Sequence, residues 1–160
     1  IHVGHQVGRG DITSGRNAGW TGIAMCGAIM ALSSLVILAA RDGIAAAYTP
    51  DLDVRELAAW LLLFVALFQI PDGLQVGAAG ALRGFKDANV PMGLNFIAYW
   101  AIGFPAAWWF GIHQRVGPSG IWAGLIVGLV VCAVLLLWRY RRVSQPRAVL
   151  PPSSVPGQPV

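Results

Sequence analysis

Four long apolar blocks, separated by short stretches where charge and proline collect, set the rhythm of this chain. They cover residues 20–40 ("WTGIAMCGAIMALSSLVILAA"), 54–82, 91–112 and 120–138. None alternates polar and apolar positions as a lipid-facing barrel strand must. Each is long enough to cross a bilayer as a helix, which takes about 20 residues, and a helix satisfies its own backbone groups where no water is present. The pattern predicts an all-α, polytopic membrane protein with four transmembrane helices. Residues 1–19 read as the end of a preceding helix and a loop, and 20–142 as the four-helix membrane region. Residues 143–160, "VSQPRAVLPPSSVPGQPV", read as a disordered tail rich in proline and serine. For the second span the start signal is Asp53 ahead of Val54-Arg55-Glu56, a D-x-x-E spacing that suits a capping box.

Composition sharpens this picture. Hydrophobic residues make up 56% of the chain and charged residues only 11%, against about one-quarter in an average soluble domain. Six of the seven tryptophans (Trp20, Trp60, Trp108, Trp109, Trp122 and Trp138) fall near predicted span ends, where amphipathic indoles favour the headgroup level. The chain opens on Ile1 rather than methionine, so it is expected to begin within a longer protein. Cys26 and Cys132 sit inside apolar blocks without metal-ligand spacing and read as packing residues.

Charge gives topology. Arg9, Arg16, Arg83, Lys86, Arg139, Arg141, Arg142 and Arg147 fall on one side of the spans, and Arg41, Arg55 and Arg115 on the other. Eight against three places the first side in the cytoplasm. Both ends are then cytoplasmic, residues 41–56 form an external loop, and the expected location is the inner (plasma) membrane of a bacterial-type cell. The net charge of +4 serves topology and implies no nucleic acid.

One residue breaks the apolar logic. Asp72 follows Pro71 in "LFQIPDGLQVGAAGALRG", eleven residues before the basic edge at Arg83. At about 1.5 Å per residue it lies roughly 16 Å deep, near the middle of a ~30 Å hydrocarbon core. A charged carboxylate there costs roughly 2.5–3.5 kcal/mol, so a cation, a proton or a hydrated cavity is needed to offset it. Gln69 and Gln75 flank Asp72 at three residues on either side, on one broad helix face. Pro71 removes an amide and invites a kink, while Gly73, Gly77 and Gly80 permit close backbone approach. Broken helices with a carboxylate at mid-membrane build ion sites in secondary transporters. The plainer alternative is one buried hydrogen bond that fixes packing.

In the third span, Asn95 and Tyr99 share a face. They suit either a pocket for an amphipathic or cationic ligand or interhelical hydrogen bonding. Pro105 is expected to kink that span, and Ser33 and Ser34 to bond back to their own helix. "VGHQVGRGD" has Gly8-x-Gly10 but Thr13 where a dinucleotide loop needs its third glycine. Walker A, HExxH and GxSxG motifs are absent from the sequence, so no enzymatic activity, metal or organic cofactor is expected.

Taken together, "VGHQVGRGD", "LFQIPDGLQVGAAGALRGFKDANVPM", "YWAIGFP" and "GPSGIWAGLIVGL" resemble the C-terminal third of the multidrug and toxic compound extrusion (MATE) transporters. The resemblance implies a twelve-helix fold of two lobes, to which this chain contributes helices nine to twelve. It implies secondary active efflux of organic cations or drug-like compounds by antiport with protons or sodium. Asp72 falls on the family's cation-binding acid, with Phe68, Gln69, Gln75, Asn95 and Tyr99 as cavity-lining candidates and Pro71 and Pro105 as kinks. Phe68 lacks the hydroxyl that some sodium-coupled members carry, and Pro71 stands where a bulky apolar residue is common. The implied partners are the substrate, membrane lipid and the missing N-terminal lobe of the same protein. Two rivals remain: a flippase for lipid-linked precursors on a related scaffold, and a non-transporting four-helix subunit. A pyrophosphate-binding flippase needs cavity cations, and no Lys or Arg falls inside a predicted span apart from Arg55 at the second span's outer edge.

Overall fold

The structure is a computed structural model that describes residues 2–114 and 117–145. Helix α1 (His2–Gly8) leads through a tight turn into α2 (Ile12–Tyr48). Then follow α3 (Leu52–Gly84), the third span α4 (Asn89–His113) and α5 (Pro118–Val143). No strand occurs among the described residues. Helices α2 to α5 are all long and apolar enough to cross a membrane.

The helices outrun the apolar blocks that announced them. Residues 12–19, expected as loop, already belong to α2, because Asp11 accepts a hydrogen bond from the Ser14 amide at 2.9 Å and starts the helix there. The Ser14 hydroxyl and, after it, this amide bond hold the Asp11 carboxyl below its ordinary pKa. The expected external loop at 41–56 shrinks to Thr49, Pro50 and Asp51. Pro50 forces its predecessor out of helical conformation, and Thr49 is extended at φ −151°, ψ 141°. The cap of α3 is Asp51 rather than Asp53: its carboxylate accepts from the amides of Asp53 at 3.0 Å and Val54 at 3.4 Å. Val143, expected in the tail, closes α5, and Ser144 after it is buried. The remainder of the expected tail, with Arg147, lies outside the described residues, as does Arg115.

Packing runs through two close antiparallel pairs, α2 with α3 and α4 with α5, joined where α3 packs against α5. Helices α2 and α3 run antiparallel, with Gly73 and Gly77 of α3 set against Met30, Cys26 and Ile23 of α2. Helices α4 and α5 run antiparallel on a seam of small residues: Gly128 against Gly103, Gly124 against Ala107, and Gly120 against the Phe110 carbonyl. Such residues let helix backbones approach closely where lipid removes the hydrophobic drive. Phe85 and Trp20 pack edge-on against the fully buried Tyr140, joining α2, α3 and α5 at one end. The Tyr140 hydroxyl donates to the Arg16 carbonyl at 3.0 Å.

The turn after α3 is unusual. Lys86 takes a left-handed backbone at φ 61°. The amides of Asp87 and Lys86 return to the carbonyls of Leu82 and Arg83, the pattern that closes helices in a Schellman motif. Asp87 then pairs with Arg139 at 2.8 Å and pins this turn to α5.

Candidate functional site

Helix α3 carries Phe68, Gln69, Pro71, Asp72 and Gln75. It runs unbroken through Pro71. The effect expected of Pro105 takes another form: α4 switches to π-helix over Ala98–Gly103 just before the proline and again over Trp109–His113. The Phe104 amide reaches five residues back to the Tyr99 carbonyl. A proline takes no part as donor, and the wider turn absorbs the lost bond; such turns often mark functional positions.

Most of the candidate polar side chains are spent between helices. Gln69 donates to the Ser33 hydroxyl at 2.9 Å, linking α3 to α2. Ser34 donates to the Ala66 carbonyl at 2.8 Å across the same interface. Both serines therefore bridge helices instead of bonding back to their own. Gln75, only 8% exposed, accepts from the Tyr99 hydroxyl at 3.0 Å and links α3 to α4. Asn95 accepts from the Cys132 thiol, linking α4 to α5. Phe68 stands edge-on to Trp122 of α5, with ring centroids 6.3 Å apart.

Asp72 differs from all of these. It is half-buried, and it forms no hydrogen bond or ion pair among the described residues. The carboxylate acts electrostatically on the Tyr99 hydroxyl, whose partner Gln75 stands one turn along α3 from Asp72. Asn95 belongs to the α4–α5 seam, so the structure brings Gln75 and Tyr99 to Asp72 and places Asn95 with Cys132. An apolar groove of about 820 Å³ does run between α1, α2 and α3, but its lining takes in Val76, Gly77 and Gly80 and leaves out Asp72. Gly80, expected to meet another backbone, has nothing within 4 Å and opens into this groove.

Chemically, a half-buried carboxylate with no counter-charge among the described residues is a costly group in an apolar span. Ser33 and Ser34, expected to bond back to their own helix, and Cys132, read as packing, are the polar partners that the sequence did not assign. Their signal was present: each stands in an apolar run, where an isolated polar group demands a partner.

Comparisons with known proteins follow the same outline. The family model MatE matches residues 1–109. The probable multidrug resistance protein NorM of Xylella fastidiosa (strain 9a5c) is 48% identical over 145 residues, which are 91% of this chain and 31% of that protein. The multidrug resistance protein PmpM of Pseudomonas aeruginosa is 42% identical over 146 residues, 89% of this chain and 31% of that protein. The chain thus spans about a third of the length of the curated relatives it matches. Among solved structures, that of the eukaryotic MATE transporter AtDTX14 superposes with a TM-score of 0.80 at 22% identity, over 89% of this chain and 33% of that one. With four apolar spans and transporter relatives, the protein is membrane-embedded.

Proposed function

The chain belongs to the MatE family, and on that premise we propose that it forms part of a secondary active exporter of organic cations or drug-like compounds, driven by protons or sodium through Asp72. The coupling rests on one carboxylate with two uses. Ionised, Asp72 holds a cation; once it takes up the coupling proton or sodium ion, the organic cation is released and the helices change access. Gln75 and Tyr99 hold α4 beside the acid through their mutual hydrogen bond, and Phe68 forms an apolar wall. Gln69 and Asn95 keep the flanking helices in register.

The observation that carries this reading is the contrast among the mid-span polar groups. Gln69, Gln75, Asn95 and Tyr99 all have protein partners, whereas the costliest group, Asp72, has none among the described residues. Relatives named for multidrug resistance support efflux as the activity. The rest of the transporter, including its other lobe, is the partner that completes the cavity. In this reading the protein lies in the inner (plasma) membrane with both ends cytoplasmic.

The test is Asp72→Asn in the intact protein, which keeps size and hydrogen bonding but removes the charge. Efflux driven by an imposed proton or sodium gradient should fall at least tenfold, about 1.4 kcal/mol of lost coupling, while the protein still inserts and binds detergent normally. Gradient-driven efflux equal to the parent's rejects the coupling role.

A further inference from the structure

At the end of the bundle away from the α2–α3 turn, Arg16 and Trp20 of α2 face Arg141 of α5 and Gln145 just beyond it across a cleft of about 470 Å³. Arg16 and Trp20 are four residues apart and so share a helix face. The two faces are locked together. Tyr140 donates to the Arg16 carbonyl at 3.0 Å and meets the Trp20 ring edge-on at 5.3 Å. Even the small Gly19 is needed there, since a Cβ would collide with the Tyr140 hydroxyl. The Arg141 guanidinium lies over the Trp20 ring at 5.7 Å. Among the described residues neither Arg16 nor Arg141 pairs with an acid; of the acids at this end, Asp11 caps α2 and Asp87 is taken by Arg139. The sequence from 146 to 160 contains no Asp or Glu.

We infer that this cleft binds the phosphate headgroup of an anionic phospholipid, held between Arg16 and Arg141 with its glycerol region against Trp20. Three features favour a lipid over a free anion. The cleft sits where apolar spans give way to basic residues, the level at which headgroups lie. Trp20 offers an amphipathic ring of the kind enriched there. A second arginine–tryptophan pair, Arg142 over Trp138 at 4.2 Å, continues the same rim. Two guanidiniums supply paired donors that fit phosphate oxygens. Fixing them on a Tyr140-locked platform lowers the ordering cost of binding.

The experiment uses the intact, detergent-solubilised protein and counts retained lipid by native mass spectrometry. Phosphatidylglycerol, phosphatidylcholine and inorganic phosphate are titrated separately. One basic residue near an anionic headgroup is worth about 1 kcal/mol, so Arg141→Gln should weaken phosphatidylglycerol retention about fivefold and the Arg16→Gln/Arg141→Gln pair about thirtyfold. Phosphatidylcholine retention should not change, and Lys86→Gln, at the same end but outside the cleft, should have less than about a twofold effect. Three results overturn the inference: phosphatidylglycerol retention unaffected by Arg141→Gln; equal losses for Lys86→Gln and Arg141→Gln, meaning diffuse attraction; or displacement of the lipid by millimolar inorganic phosphate, meaning a bare anion site. Arg141 is exposed, so its single variant decides the matter even if Arg16→Gln fails to fold.

Discussion

At the scale of the residue, Lys86 pays a backbone cost that its position explains. A left-handed conformation costs an L-residue about 1–2 kcal/mol, yet Lys86 adopts it at φ 61°. Here the closing bonds from Lys86 and Asp87 to Arg83 and Leu82 and the Asp87–Arg139 pair hold the turn. Lys86→Gly should therefore raise stability by about 1 kcal/mol, seen as a higher unfolding temperature of the solubilised protein. Lys86→Ala removes the same charge but keeps the strain, and should leave the unfolding temperature unchanged. A matched rise in both variants would show that charge, not backbone, sets the effect. Asp72 presents the opposite case: its backbone is ordinary helix, and the cost resides in the side chain.

Among the elements, the α4–α5 seam is the least forgiving. A Cβ on Gly124 would penetrate the Ala107 backbone, which cannot rotate away as a side chain can. Gly124→Ala should cost about 1–3 kcal/mol through overpacking, read as a lower unfolding temperature and reduced yield in the membrane. Gly80→Ala, on a helix face with nothing within 4 Å, should be tolerated; equal losses from both would point to glycine's backbone rather than to packing. This scale also shows what the sequence could tell. Apolar run length located all four spans, because bilayer thickness fixes how much helix must be apolar. It understated α2, which continues in helical form to Tyr48, because hydropathy marks the hydrocarbon crossing while caps such as Asp11 and Asp51 decide where a helix ends. Hydropathy also gives depth but not direction around a helix. Asp72 was therefore legible as the odd charge at mid-span, whereas the Ser33–Gln69, Ser34–Ala66 and Asn95–Cys132 links required two helices to be placed side by side.

For the molecule as a whole, basic residues separate by end. Arg9, Arg16, Arg83, Lys86, Arg139, Arg141 and Arg142 all fall at the end where α1 meets α2, α3 closes and α5 stops; Arg41 and Arg55 flank the α2–α3 turn at the other end. Lys and Arg are retained in the cytoplasm during insertion, and the proposed orientation puts this basic end there. It also ties the headgroup cleft and the depth of Asp72 to a single membrane frame, since both are measured from the same basic rim. The orientation has a direct test in single cysteines introduced into the intact protein. Tyr48, 88% exposed at the α2–α3 end, and Gln145, exposed beyond α5, mark the two surfaces. A membrane-impermeant thiol reagent should label Tyr48→Cys in intact cells and Gln145→Cys only after the membrane is opened. The native Cys132 is buried and Cys26 lies within α2 against Gly77, so the parent protein should give little background. The reverse pattern would invert the bundle and move the arginine cleft to the outer leaflet. Labelling of both cysteines in intact cells would mean that at least one of α3, α4 and α5 does not cross.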